Sequence, residues 1–396
     1  MSKNDDEVIE NWFLIRNISS DTQEIYLMAL KEYFQLTKKT PTVLLKEAKE
    51  ENLSNIPLME RKVTINLLKY KKALIDNGKA PSTVYLYFSA IKSFYRAFQI
   101  ILPEIKLDKG DIGLEKNMGK PLTRKDILKM LGVAPPRERA LIYLMTLTGM
   151  GQQEARDLTI KKLLDSASSA IDVILRDVYA LFSHEEQVLD EVLTLEITRK
   201  KVKYRHHTFL PPEATRELIN YLKERCYGRN EKIRLENCNG RIFVNKQGGE
   251  LSRDSIVTNF RRIGQEAGFQ KDKGCYSFWR SHALRKYFIS TIINKTAEKT
   301  IADYMAGHKI SPQDRTYWRA NPDDLKDHYL KALPFLSIDE AKVMDVKSLE
   351  FKTIMDDSKK KDDKIADLVR RVELMEERDK KKERLLDNEE FTKKHL

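Results

Sequence analysis

The stretch CYSFWRSHALRKYFISTII, at residues 275–293, decides the fold class that we infer for this chain. We interpret it as a helix, on which His282 and Arg285 share one face because they are three residues apart. A histidine and an arginine at this spacing are common on protein surfaces. The pair alone is therefore not diagnostic of a function, and its interpretation depends on the sequence around it.

The second informative stretch is MAGHKISPQDRTYWRANPDDLKDHYLKALPFL, at residues 305–336. His308 comes directly after Gly307, and Tyr317 lies nine residues after His308. Another tyrosine, Tyr329, lies among leucines at helical spacing, and we expect it to pack in the core. The two motifs and the tyrosine in this order form a much rarer combination than any one of them alone.

Upstream of both stretches, VLTLEITRKKVKYRHHTFLP at residues 192–211 is rich in β-branched residues. This composition predicts a β-hairpin with a basic tip. The chain on either side has the apolar spacing of helices, and Thr123 is well placed to cap one of them. The sequence therefore predicts a mainly α fold with a small β-sheet, in which the hairpin belongs to an α+β domain.

Changes in composition divide the chain into four parts. Residues 1–105 predict a bundle of four or five helices, and residues 106–121 have the glycines and prolines of a linker. Residues 122–339 form a second domain. Residues 340–396 contain no Gly or Pro and have balanced charges, so we predict a charged helical tail. A short heptad pattern in this tail predicts either a short coiled coil or a solvated helix, and both remain open.

The overall composition excludes several classes of protein. The chain has 72 Lys and Arg against 60 Asp and Glu, a net charge of +12 that favours a polyanionic partner, chiefly nucleic acid. It has neither an apolar run of membrane-spanning length nor a signal peptide, so we expect a cytoplasmic, nucleoid-associated protein that binds no membrane. Its three cysteines match no zinc site, and it carries no phosphate-loop or dinucleotide motif. We therefore expect no metal and no small-molecule cofactor.

These features together resemble the tyrosine recombinases, the phage-type integrase and Xer-like group, and particularly their archaeal branch. The resemblance covers residues 10–338 and rests on HALRKYF, the AGH element, the tyrosine nine residues after its histidine, and the domain order. It implies an N-terminal helical core-binding domain and a C-terminal catalytic domain that together hold double-stranded DNA. It further implies a site-specific recombinase or integrase that joins DNA to a tyrosine through a 3′-phosphate, and that self-associates into dimers and a tetrameric synapse.

The same resemblance implies a role for each motif residue. Tyr317 would be the nucleophile, and Arg285 would hold the scissile phosphate, since a planar guanidinium grips two phosphate oxygens and stays protonated. His308 and His282 would donate hydrogen bonds or move protons. Lys201 in the hairpin would protonate the leaving 5′-oxygen, with Lys200 and Lys203 as alternatives.

One element departs from the family pattern. The family has an arginine in a TGLR-x-x-E-L element, whereas this chain has TGMGQQEARDL at residues 148–158, with Gly151 in the arginine position. Three explanations remain open. Arg156 takes over as a catalytic residue, another cation such as Arg137 or Arg139 does so, or the protein is a weak or inactive recombinase that still binds DNA. Losing one such donor typically costs about 10²–10³ in rate.

We expect DNA contacts from basic side chains in both domains. The candidates are Lys92, Arg96, Arg199, Lys200, Lys203, Arg205, Arg280 and Lys286. Two other functions remain open beside recombination: a DNA-binding protein without catalysis on the same scaffold, and a topoisomerase that nicks and closes DNA without forming a synapse.

Overall fold

A computed structural model describes residues 3–54, 56–107, 119–199, 204–235, 240–271, 275–311 and 321–339. The chain divides into two compact units, one of Met1–Gly119 with Lys273–Tyr276, the other of Lys120–Asp272 with Ser277–Leu396. Several predicted features lie outside the described residues. They are Tyr317, Lys200, Lys201, Lys203 and the tail at 340–396.

The first unit contains five described α-helices, as the apolar spacing predicts. They are α1 (Lys3–Ile15), α2 (Ser20–Thr37), α3 (Pro41–Leu53), α4 (Lys62–Asp76) and α5 (Pro81–Ala97). Their core is aromatic: the Trp12 ring stacks on Tyr26 and meets Phe94 edge-on. The indole Nε1 donates to Ser93 Oγ at 3.2 Å, which gives the buried Trp12 the hydrogen-bond partner that its N–H needs.

The second unit begins with a helix that its sequence caps. The Thr123 side chain accepts a hydrogen bond from the backbone N–H of Asp126, and the backbone N–H of Thr123 donates to the Asp126 carboxylate. This helix is α6 (Arg124–Val133), and five more follow in order: α7 (Pro136–Thr148), α8 (Gln152–Asp157), α9 (Ile160–Ile171), α10 (Val178–Ser183) and α11 (Glu185–Leu189). Every residue from Ala140 to Thr148 is buried, so α7 runs through the centre of this unit.

The predicted hairpin is present. Strand β1 (Leu193–Arg199) pairs antiparallel with β2 (Tyr204–Leu210), in a register that sets Leu193 opposite Leu210 and Arg199 opposite Tyr204. Leu193, Leu195 and Ile197 alternate into the core. The observed architecture is mainly α with a small two-stranded sheet, which confirms the fold class.

The rest of the second unit is helical. It contains α12 (Pro212–Tyr227), α13 (Arg253–Glu266), α14 (Ser281–Thr296), α15 (Lys299–Met305) and α16 (Pro322–Leu336). Helices α12 and α14 and strand β2 pack on α7. Tyr329 of α16 is fully buried, and its hydroxyl donates to the carbonyl of Leu147 at 2.9 Å, so the prediction that it packs in the core is confirmed. No helix among the described residues is long and apolar enough to cross a membrane.

Candidate active site

The centre of the candidate site is a buried arginine. Arg285, on the buried side of α14, is only 3% exposed, and its Nη1 donates to the carbonyl of Gly149 at 2.8 Å. Its other terminal nitrogen, Nη2, is buried and has no hydrogen-bond partner within the described chain. Burial, and then the neighbouring Arg199 cation, lower the pKa of Arg285 to about 10, so it remains charged at neutral pH. A buried charged donor without a partner suits a site built for an anion.

The carbonyl that orients Arg285 depends on a glycine. Gly149 ends α7 in the left-handed backbone region, with φ +68°. A Cβ atom at this position would lie 2.4 Å from the ring of Phe288. Both the backbone angle and the close aromatic neighbour therefore require glycine here.

A second glycine positions the histidine of the AGH element. Gly307 has φ +71°, and a Cβ on it would lie 2.6 Å from the imidazole of His206. The chain then turns so that the backbone N–H of His308 donates to Asp303 O at 2.8 Å, and the His308 Nδ1 lies 2.8 Å from Asp303 Oδ1. A carboxylate at Nδ1 favours a hydrogen on that nitrogen. This contact leaves Nε2 of His308 for a substrate atom.

Burial of His206 makes the stability of the protein pH-dependent. Burial, and then the charges of Arg285 and Arg199, lower the pKa of His206 to about 3 from the usual 6.5. The unfolded chain takes up a proton here below about pH 6.5, and the folded chain does not, so the free energy of unfolding falls as the pH decreases. Between about pH 7.5 and 5.5 we expect the native chain to lose about 1.4 kcal/mol more than His206→Gln in urea unfolding. An identical loss in both proteins would contradict this assignment.

His282 lies on the same helix among positive charges. Much of its side chain is open to solvent, but desolvation of the ring and then the cations Arg280, Lys286 and Arg285 lower its pKa to about 4. His308 adds a smaller contribution in the same direction. His282 is therefore neutral at physiological pH and can donate or accept a hydrogen bond without adding charge.

The structure adds a residue to this cluster that we expected only to contact DNA. The Nε of Arg199, the last residue of β1, lies 3.0 Å from Oε1 of the buried Glu154. Its Nη1 donates to the carbonyl of Gly307 at 2.9 Å. The signal in the sequence is the strand period of two, which places Arg199 on the face of Leu193, Leu195 and Ile197.

These side chains form a compact arrangement that can bind a phosphate. Two guanidinium groups, one histidine oriented by a carboxylate and one neutral histidine lie within electrostatic reach of one another. Fixed donors of this type stabilise the charge that develops on phosphate oxygens during a displacement. Among the described residues, no cluster of three or more His, Cys, Asp or Glu side chains could hold a metal ion.

The family follows from the sequence pattern of this region. Residues 120–323, just over half of the chain, match the pattern of the phage integrase family. The chain belongs to the phage integrase family. This confirms the resemblance to tyrosine recombinases at the level of the family, and assignment to the archaeal branch remains a prediction.

The chain is also similar to proteins named as tyrosine recombinases. Tyrosine recombinase XerC of Lactobacillus delbrueckii subsp. bulgaricus is 24% identical over 276 residues, which cover 64% of this chain and 78% of XerC. Tyrosine recombinase XerD of Oceanobacillus iheyensis is 21% identical over 335 residues, or 81% of this chain and 96% of XerD.

Solved structures of the family are more distant. The XerH recombinase bound to its difH substrate before cleavage is 17% identical, with a TM-score of 0.47, over 79% of this chain and 80% of XerH. The lambda integrase tetramer bound to a Holliday junction is 16% identical, with a TM-score of 0.45, over 79% of this chain and 76% of that one.

In this phage integrase family member, the other arginines proposed to replace the missing one are held elsewhere. Arg156 donates to the carbonyl of Leu251 at 3.2 Å and to the Gln153 side chain. Arg137 pairs with the neighbouring Glu138 and with the carbonyl of Val244, and Arg139 pairs with Glu217 and with the carbonyl of Leu131. Within the described chain, none of these three forms a hydrogen bond or ion pair with Arg285 or His308.

The predicted DNA-contacting residues of the first unit line a basic cleft. Lys92 and Arg96 of α5 border a cavity of about 550 Å³. Arg16 and Lys106 add two more positive side chains to its wall, and Tyr26 adds an aromatic surface. Lysine and arginine beside aromatic side chains provide the charge and stacking that nucleic-acid surfaces use.

In the second unit, Arg280 and Lys286 act on His282 within the Arg285 cluster, whereas Arg205 pairs with the exposed Thr198 of the hairpin. Arg205 of β2 is exposed, and its only ion pair among the described residues is a 3.9 Å contact with Glu196. Arg280 precedes α14 and Lys286 follows Arg285 on it. Burial and then Arg280 lower the pKa of Lys286. The roles of Tyr317, Lys201, Lys200 and Lys203 rest on the sequence, because these residues lie outside the described part.

Proposed function

We propose that this protein is a site-specific DNA recombinase that cuts and rejoins DNA strands through a 3′-phosphotyrosine intermediate. One observation carries the proposal: the buried Arg285 has an Nη2 without a hydrogen-bond partner in the described chain, and Asp303, which holds His308, also acts on Arg285. Membership of the phage integrase family and relatives named as tyrosine recombinases support the same function.

The proposed reaction needs only side chains. The hydroxyl oxygen of Tyr317 attacks the scissile phosphorus, the P–O5′ bond breaks, and the leaving 5′-oxygen takes a proton from Lys201. The tyrosine proton leaves to a base near the site, for which His308 and the neutral His282 are the candidates. Arg285 holds the non-bridging oxygens while negative charge builds up on them. A 5′-hydroxyl of a partner strand then attacks the phosphotyrosine and releases Tyr317.

We assign double-stranded DNA as the substrate and partner, held by both parts of the chain. Residues 1–105 would act as the core-binding domain and residues 122–339 as the catalytic domain. Exchange of strands requires more than one protomer, so we propose dimers and a tetrameric synapse on DNA, with the tail at 340–396 as a contact between protomers. We expect the protein to act at the nucleoid, in the cytoplasm, and to belong to the archaeal branch of its family.

Covalent trapping tests the proposed function. The protein is incubated with fragments of the host genome and denatured, and DNA linked to protein is sequenced to define the cleavage site. Duplexes of that site are then prepared with a nick, so that cleavage releases a short strand. Because this strand is lost, the adduct accumulates. We expect a 3′-linked adduct that Tyr317→Phe abolishes and the exposed control Tyr227→Phe retains. Tight binding without any adduct would refute catalysis.

That outcome corresponds to the one alternative with an observation in its favour. Gly151 occupies the position of a catalytic arginine, and without a substitute the chain would be a DNA-binding protein on a recombinase scaffold. The trapping experiment separates the two functions, since only the enzyme forms the linkage.

The cleft of the first unit leads to a salt-dependence prediction. Each phosphate contact lowers the slope of log affinity against log salt concentration by about 0.9. We expect Arg96→Gln to make this negative slope shallower by about 1, measured by fluorescence anisotropy on duplex DNA between about 50 and 200 mM salt. Lys46→Gln removes an exposed cation of α3 that does not line the cleft, and it serves as the control with an unchanged slope. Equal slopes for both variants would place the cleft outside the DNA interface.

A further inference from the structure

We propose that Arg199 supplies the second phosphate-binding guanidinium, in place of the arginine that is missing at position 151. The inference rests on the proposed function and deepens it, because it assigns a further catalytic residue to the same site.

Two contacts hold Arg199 in the site. Glu154, in the first turn of α8, binds its Nε at 3.0 Å, and the carbonyl of Gly307 accepts from its Nη1 at 2.9 Å. Gly307 is the residue before His308, so the second contact fixes the guanidinium next to the candidate proton-transfer group. A guanidinium has five N–H bonds, and the hydrogen bond to Gly307 uses one of them, while Glu154 makes an ion pair at Nε. Within the described chain no other hydrogen bond of Arg199 is present, so its remaining N–H groups are available to phosphate oxygens.

The charges around Arg199 also favour an anion. Its positive charge is the strongest influence after burial in lowering the pKa of Arg285, and it acts on His206 in the same direction. Glu154 contacts Arg199 directly, and both Glu154 and Asp303 partly offset the effect of Arg199 on Arg285. The two guanidinium charges still oppose each other, and a phosphate bound by both would relieve that repulsion.

The space at position 151 explains why the cation comes from the strand. Gly151 precedes α8, and a Cβ atom on it would lie 2.3 Å from Oε2 of Glu154. The Glu154 carboxylate therefore lies where a side chain at 151 would begin, and its other oxygen, Oε1, binds Arg199 there. The loss of the helix arginine and the inward-pointing strand arginine are two parts of one arrangement.

The test uses the nicked duplex defined by covalent trapping, with five proteins. They are the native chain, Arg199→Gln, Gly151→Arg, the double variant Gly151→Arg/Arg199→Gln, and Arg262→Gln. The last removes an exposed arginine of α13 that pairs with Glu266, so it matches the charge change outside the site. We expect Arg199→Gln to slow adduct formation by about 10²–10³. Arg262→Gln should stay within about threefold of the native rate, which is the scatter expected for a weak surface ion pair.

The double variant separates a phosphate contact from a purely structural role. With Arg199 gone, Glu154 can move to bind an arginine at 151, and we expect at least a tenfold recovery over Arg199→Gln. In the native background the two arginines would compete for Glu154, so Gly151→Arg alone should not raise the rate. A duplex with a neutral methylphosphonate at the scissile position gives a second readout, because a cation that neutralises a phosphate oxygen loses its importance there. The defect of Arg199→Gln should shrink to a few-fold on it.

Binding of inorganic phosphate distinguishes failure of this inference from failure of the proposed function. We expect millimolar phosphate to raise the melting temperature of the native chain and of Arg262→Gln, but not of Arg199→Gln. If phosphate raises the melting temperature in this pattern but no DNA adduct forms, the anion site is supported and the recombinase activity is rejected. If the adduct forms and Arg199→Gln forms it within threefold of the native rate, the recombinase activity is supported and the role of Arg199 is overturned. An equal defect on phosphate and methylphosphonate, without rescue at 151, would also overturn it.

Discussion

Arg285→Gln is expected to slow formation of the covalent protein–DNA link by about 10²–10³, without lowering the stability of the protein. The loss of rate follows from the two terminal nitrogens of Arg285. One is anchored on Gly149, and the other is buried without a partner in the described chain, so it is available to a phosphate oxygen. Glutamine is neutral and too short to make both contacts.

The expected effect on stability has the opposite sign. Burial and then Arg199 lower the pKa of Arg285 to about 10, so the charged form is less favourable in the folded chain than in the unfolded chain at neutral pH. Replacing it with a neutral side chain removes that cost, although the carbonyl of Gly149 loses its donor. We expect a melting temperature equal to or above that of the native chain.

Adduct formation on the nicked duplex and thermal unfolding measure the two effects. Arg285→Lys is the informative companion, because it keeps the charge but lacks the planar fork, and we expect it to recover little of the rate. A slow variant that is also much less stable would indicate that Arg285 supports the fold rather than the reaction. Cleavage within threefold of the native rate would remove Arg285 from the phosphate site.

The parts of this site that the sequence predicts are those encoded locally. His282 and Arg285 are one helical turn apart, and the β-branched run with its basic centre predicts the hairpin without reference to the rest of the chain. The burial of Tyr329 follows from leucines at helical spacing around it. In each case the periodicity of one element carries the information.

The role of Arg199 could not be predicted in the same way. The period of two in β1 gives the face on which it lies, but the contact with Gly307 joins residues 108 positions apart. Only the folded chain brings them together. The sequence also left Arg156 as a substitute for the missing arginine, whereas the folded α8 directs it to Leu251. The helical angle between positions 151 and 156, about 140°, already favoured a different face.

Gly149→Ala is expected to cost about 2–5 kcal/mol of stability, more than any other glycine substitution that we propose. The backbone of Gly149 is left-handed, with φ +68°, which costs an alanine about 1–2 kcal/mol. The added Cβ would also lie 2.4 Å from the Phe288 ring, in a packed core where such crowding costs about 1–3 kcal/mol. A shift of this segment would move the carbonyl that orients Arg285, so the cleavage rate should fall together with the stability.

Gly268→Ala is the matched control. Gly268 is also left-handed, with φ +74°, but nothing lies within 4 Å of its would-be Cβ atom. It should lose about 1–2 kcal/mol in urea unfolding and retain native cleavage. The difference between the two variants then measures the clash with Phe288. Gly149→Ala/Phe288→Leu should recover part of that difference, since the smaller side chain makes room for the methyl group. Equal losses for Gly149→Ala and Gly268→Ala would show instead that the backbone angle alone requires glycine, and that Phe288 can move aside without disturbing Arg285.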